Sequence, residues 1–73
     1  MERILIIGAA GQLGSELTQA IANIYGGDNV IATDINPKAL EKFENCRTAV
    51  LDVMDKEALK DLVKDQNVKQ IYH

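Results

Sequence analysis

The chain has 73 residues, 47% hydrophobic and 26% charged, with a net charge of −3. That balance is globular rather than disordered, and no Lys/Arg cluster is dense enough to gather a phosphate backbone, which argues against nucleic acid as a partner. The longest apolar run, Ile4 to Gly11, is far below the ~18 residues that span a membrane.

Arg3 to Ile7 is a short, nearly continuous apolar run, the pattern of a strand buried on both faces of a parallel sheet. Met1-Glu2-Arg3 ahead of it faintly imitates a secretory leader. Its side chains carry no net positive charge, however, and a cytoplasmic protein is expected. Leu13, Leu17, Ala20, Ile21 and Ile24 then recur at helical spacing, which predicts a helix of about three turns with that stripe buried. Gly26-Gly27 closes it, since glycine accepts the left-handed conformation at a helix end. Asn29 to Thr33 reads as a second strand. Asn36-Pro37 is a helix-start pair, and a short helix is expected to run to about Glu44. Cys46 is the single cysteine; it cannot form an internal disulfide and has no His or Lys beside it to activate it. Thr48 to Leu51 is a third strand. Asp55 suits the cap of a further helix, with Ala58, Leu59, Leu62 and Val63 inward and the pairs Glu57–Lys60 and Asp61–Lys64 outward. Val68 to Tyr72 makes a fourth strand.

Strands and helices thus alternate as β-α-β-α-β-α-β, with connections that must cross back over the sheet. Right-handed crossovers predict an α/β fold, a doubly wound parallel sheet in the order 3-2-1-4. The order reverses between the first and fourth strands, and ligands of such sheets lie in the crevice at their carboxyl ends.

That crevice is where the glycines fall. IIGAAGQLGSE, residues 6–16, places Gly8, Gly11 and Gly14 between the first strand and the first helix. A pyrophosphate must approach the exposed N–H groups that open a helix, where the helix dipole also stabilises it. Gly8 permits the tight turn, Gly11 removes a side chain where phosphate approaches, and Gly14 lets the helix pack closely on the sheet. Turn glycines alone could produce such a triplet, and the spacing is G-x-x-G-x-x-G instead of the commoner G-x-G-x-x-G. Asp34 adds the decisive context, for it stands at the end of the second strand, where an acid meets the adenosine ribose. Its carboxylate suits the ribose hydroxyls and would repel a 2′-phosphate, and Ile35 and Asn36 follow in place of an arginine. NAD is therefore favoured over NADP. Asp52-Val53 lies at the end of the third strand, where the acid suits the adenine amino group and the valine its ring. Asp52 also fits a plain loop or capping role. No metal site is expected, and His73, Tyr25 and Tyr72 have no partner that marks them as catalytic.

GAAGQLG at 8–14, Asp34, Leu51-Asp52-Val53 and Ile71-Tyr72-His73 resemble the amino-terminal half of an extended short-chain dehydrogenase/reductase, of the NAD-dependent epimerase/dehydratase superfamily. NVIATDIN, VLDVMDKEAL and VKQIYH look most like the short-chain-type L-threonine 3-dehydrogenases. The resemblance implies a Rossmann-like domain and a homo-oligomeric oxidoreductase passing hydride from the threonine hydroxyl to NAD. Gly8, Gly11, Gln12, Leu13 and Gly14 would form the pyrophosphate loop, Asp34 the ribose acid, and Asp52 and Val53 the adenine contacts. Catalysis in that family uses a Ser/Thr and a Tyr-x-x-x-Lys pair beyond the fourth strand. That pair is missing here, since Asn29 lies four residues after Tyr25, and so no catalytic residue is assigned. Residues 1–73 are expected to be the first portion of an NAD-binding domain. Alternatives are a sugar-nucleotide epimerase or dehydratase, a non-catalytic NAD-binding sensor or scaffold, and an adenosine-type methyltransferase, which the three-glycine spacing disfavours.

Overall fold

The structure, a computed structural model, describes residues 2–73. Four parallel strands, β1 (Arg3–Ile7), β2 (Val30–Asp34), β3 (Arg47–Val50) and β4 (Val68–Tyr72), form one sheet in the order β3-β2-β1-β4. β1 and β4 keep their predicted bounds, and β2 and β3 each lie one residue from theirs. The order reverses between β1 and β4 as expected.

Helices α1 (Gln12–Tyr25) and α2 (Lys56–Asp65) cover opposite faces. Alternation along β1 divides it between the two layers. Ile4 and Ile6 pack with Ile21 and Ala22 of α1 and with Leu40 and Phe43, whereas Leu5 packs with Leu59, Leu62 and Val63 of α2. Leu5 and Ile6 are almost wholly buried, each such side chain contributing about 1.5–3 kcal/mol. β1 is therefore held from both sides, and this fixes the point where Gly8 leaves the sheet.

Of the stripe expected to be buried on α1, Ile21 is in the core, but Leu13, Leu17, Ala20 and Ile24 face outward. Leu13 is 81% and Ile24 72% exposed, while Thr18, Ile21 and Ala22 form the inner face. The reason lies at the start of the helix, where Gly14 is pressed against the turn out of β1. A Cβ there would stand 2.5 Å from Gly8 O. Small residues continue that face at four-residue steps, Gly14, Thr18 and Ala22, and a leucine row would hold the helix too far off. Thr18 tolerates burial because its hydroxyl donates to Gly14 O at 2.7 Å, so no polar group is left unpaired. α1 has 14 residues, about one turn more than predicted.

The helix after Asn36 is also shorter than expected. Asn36 Oδ1 does accept from Lys38 N at 3.1 Å, but only a 3-10 turn, Pro37–Leu40, follows. Leu40 and Phe43 then enter the core and set the irregular path of residues 41–46. Asp55 caps α2 as predicted, its Oδ1 accepting from Ala58 N at 3.1 Å. α2 leads into β4 through Asn67, at φ 55°, a left-handed conformation that asparagine tolerates. In β4 only Val68 is buried. His73 directly follows this exposed edge strand. Among the described residues no helix is long and apolar enough to cross a membrane.

Candidate functional site

The site is assembled where β1 and β2 end. Gly8 turns the chain at φ 73°, in the region that favours glycine. The carboxyl end of β2 then catches the loop. Thr33, wholly buried, donates its hydroxyl to Ile6 O at 2.7 Å, and its carbonyl accepts from Ala9 N at 2.9 Å. One residue on, Asp34 Oδ2 accepts from Ala10 N at 3.2 Å and Oδ1 from Asn36 N at 3.1 Å. The carboxylate is thus aimed by two backbone donors, and each oxygen keeps a second lone pair for a further donor.

The loop carbonyls from Gly8 to Gly11 all accept hydrogen bonds. Gly8 O accepts from Gly11 N, and Ser15 Oγ lies 3.1 Å from Ala9 O and 2.8 Å from Gly11 O, its one proton serving either. Ala10 O accepts from Lys42 Nζ at 2.8 Å. With its carbonyls engaged, the loop leaves the N–H groups of the first helical turn, at Gln12, Leu13 and Gly14, as donors. Such groups have no intrahelical partner. Gly11 at the N-cap supplies no side-chain cap, and no acid occupies the first turn. This is a helix terminus with its positive end open, suited to an anion.

A cofactor with a pyrophosphate next to a ribose fits this arrangement. The three glycines play different parts. An added Cβ at Gly11 would meet only Gly8 O at 3.8 Å, ordinary contact, whereas at Gly14 it would collide with backbone. Packing therefore requires glycine at 14 and not at 11, where the space is open to a ligand. Asp52 and Val53 lie on the same rim, two and three residues past β3, and Leu51 N donates to Asp34 O at 3.0 Å. Asp52 Oδ1 accepts from Met54 N at 2.9 Å, forming a turn, so the loop role weighed for it is real. Walled grooves lie elsewhere. One of about 280 Å³ separates α1 from residues 42–46, and another of about 460 Å³ adjoins Glu2 and Lys69. Cys46 is half-buried on the α1 side of the sheet, away from the loop.

Of the residues singled out in the sequence, the fold places Gly8, Gly11, Gln12, Leu13 and Gly14 in one loop and helix start, tied to Asp34 through Ala10. Nothing in the sequence signals that Thr33, Ser15 and Lys42 bond β1 and the loop. Thr33 reads as one more β-branched strand residue, and Lys42 reaches Ala10 only through the irregular path of residues 41–46.

A parallel sheet of this order with a glycine loop and an acid after β2 is a Rossmann-like nucleotide-binding fold. Residues 4–73 match the model of the NAD dependent epimerase/dehydratase family, and the chain belongs to that family. It is 42% identical, over its whole length and 23% of the relative's, to an uncharacterized epimerase/dehydratase of Staphylococcus aureus. The L-threonine dehydrogenase of Clostridium difficile has the same fold at a TM-score of 0.86 and 42% identity, over 97% of this chain and 23% of that one. The GalE-like L-threonine dehydrogenase of Cupriavidus necator, in holo form, gives 0.88 and 37%, over 96% and 22%. The chain spans under a quarter of the length of these proteins.

Proposed function

We propose that this chain binds the adenosine and pyrophosphate of NAD within an NAD-dependent oxidoreductase, an L-threonine 3-dehydrogenase that oxidises the threonine hydroxyl to a ketone. The observation that carries the cofactor reading is the open, uncapped start of α1 beside a carboxylate already aimed by Ala10 and Asn36. Gly11, Gln12, Leu13 and Gly14 would hold the pyrophosphate, with Gly8 making the turn. Asp34 would accept from the ribose hydroxyls, and Asp52 and Val53 would border the adenine. A bound nicotinamide cofactor supplies hydride acceptance; the residues here bind and orient it. The substrate reading rests on likeness to the threonine dehydrogenases at 37–42% identity. The same reading takes the whole protein to be a cytoplasmic homo-oligomer.

Calorimetric titration with NAD tests the cofactor assignment, with Asp34→Asn as its control. The substitution removes a charge-assisted acceptor and is expected to weaken NAD about tenfold or more. Undiminished affinity would remove Asp34 from its role. For the substrate, threonine-dependent NADH formation by the longer protein is the measurement. Turnover of a nucleotide sugar with none of threonine would replace the threonine reading by the epimerase/dehydratase one and leave the cofactor site standing.

A further inference from the structure

Ala10 is gripped from two sides. Its N–H donates to Asp34 Oδ2 at 3.2 Å, and its carbonyl accepts from Lys42 Nζ at 2.8 Å. A carboxylate and an ammonium thus hold the N–H and the carbonyl of one residue of the glycine loop. Lys42 is exposed, yet its placement is constrained. Leu40 and Phe43 on either side of it are buried, and its ammonium lies 5.5 Å from the centre of the Phe43 ring. An ammonium has three donors, and Ala10 O occupies one of them. A cation with donors to spare is therefore held on the same loop residue as the acid proposed to receive the ribose.

We propose that Lys42 is a specificity-determining residue of the adenosine site, a built-in acceptor for a ribose 2′-phosphate that the charge of Asp34 alone keeps unused. The inference rests on the NAD reading above and extends it. With Asp34 ionised, a 2′-phosphate would meet a like charge at the position of the ribose diol, and the diol is preferred. With Asp34 neutral, the phosphate would find Lys42 Nζ, held on the same loop residue, and no carboxylate charge opposing it. Charge-assisted contacts of this kind are the strong ones. Cofactor preference is then set by one carboxylate standing against one ammonium, with no arginine after β2.

The test compares NAD and NADP binding by calorimetry in four proteins: the unaltered one, Asp34→Asn, Asp34→Asn/Lys42→Met and Asp34→Asn/Lys38→Met. Lys38 is the control because it is the other lysine of this turn region. Asp34→Asn is expected to raise the NADP-to-NAD affinity ratio about tenfold or more, and adding Lys42→Met to remove most of that gain. Lys38→Met should leave the gain in place, and the gain should shrink with added salt. If Lys42 only ties down the loop, its removal lowers both affinities by the same factor and the ratio stays, which overturns the proposal. A ratio that follows Lys38 instead of Lys42 also overturns it. Failure of the unaltered protein to bind NAD overturns the cofactor reading itself, and the role of Lys42 falls with it.

Discussion

An added methyl group at Gly14 would lie 2.5 Å from Gly8 O and 3.1 Å from Ala9 O, both backbone atoms that cannot step aside. At Gly11 it would meet nothing closer than 3.8 Å, in backbone of φ −66° that alanine adopts freely. The two substitutions should therefore separate folding from binding. Gly14→Ala is expected to lower stability by about 1–3 kcal/mol, read from the urea midpoint. Gly11→Ala should leave the midpoint within about 0.5 kcal/mol while weakening NAD at least about tenfold, because the methyl group intrudes where phosphate must approach. A Gly11→Ala protein with full NAD affinity would falsify the loop assignment. Cys46 gives a second test at this scale. Burial pushes its thiol up, and a backbone hydrogen bond with Ala32 opposes that without cancelling it. The thiolate is the reactive form, so the folded chain should alkylate more slowly at pH 8 than the urea-unfolded chain. Its rate should also climb at a higher pH. The glycines and Asp34 were legible because each answers to a local demand of turn or ligand. Thr33 and Lys42 were not, since their roles exist only once β2 and residues 41–46 meet the loop.

At the scale of elements, α1 shows where periodicity stops being informative. Two rows run side by side along it, Leu13–Leu17–Ala20–Ile24 and Gly14–Thr18–Ile21–Ala22, and hydrophobicity alone favours the first together with Ile21, the one residue of the expected stripe that is buried. The sheet takes the second because close approach, fixed at Gly14, requires small residues. α2 carries one apolar row, and there the prediction held. The same contrast between torsion and space divides Gly26 from Gly27. Gly26 ends α1 at φ 90°, the role read from the sequence for both. Gly27 has no such torsion; it is required because the Asn45 carbonyl would collide with any Cβ there. That contact locks the end of α1 to the entrance of β3. Gly27→Ala is accordingly expected to cost about 3 kcal/mol or more, more than Gly26→Ala if the 3-10 turn cannot shift. Equal urea midpoints for Gly27→Ala and the unaltered chain would show that the two segments part easily.

For the whole molecule, what matters is the apolar surface the chain leaves uncovered. Leu13, Ile24, Tyr25 and Ile71 are each at least half exposed, and β4 presents its backbone as a sheet edge. A chain of this size buries only roughly 60% of its unfolded surface, so additional burial has a large relative effect on its stability. An unpaired edge next to apolar side chains is a template for pairing with another strand. The 73-residue chain on its own is therefore expected to self-associate as concentration rises, with β4 pairing to β4 of a second copy. Sedimentation velocity across a hundredfold concentration range measures this. Gln70→Pro in the edge strand should suppress it, since proline cannot donate to a ladder, provided far-UV circular dichroism confirms that the fold survives. A monomer at every concentration would mean that the exposed stripe and edge are tolerated in water. The same 73 residues are expected to form no NADH from threonine even where they bind NAD. They hold no Tyr-x-x-x-Lys pair to take the hydroxyl proton, and hydride transfer needs a positioned proton acceptor as well as a bound cofactor. Threonine-dependent absorbance at the NADH band from the purified chain would mean that some group among these residues, His73 or Tyr72 first, performs that proton transfer.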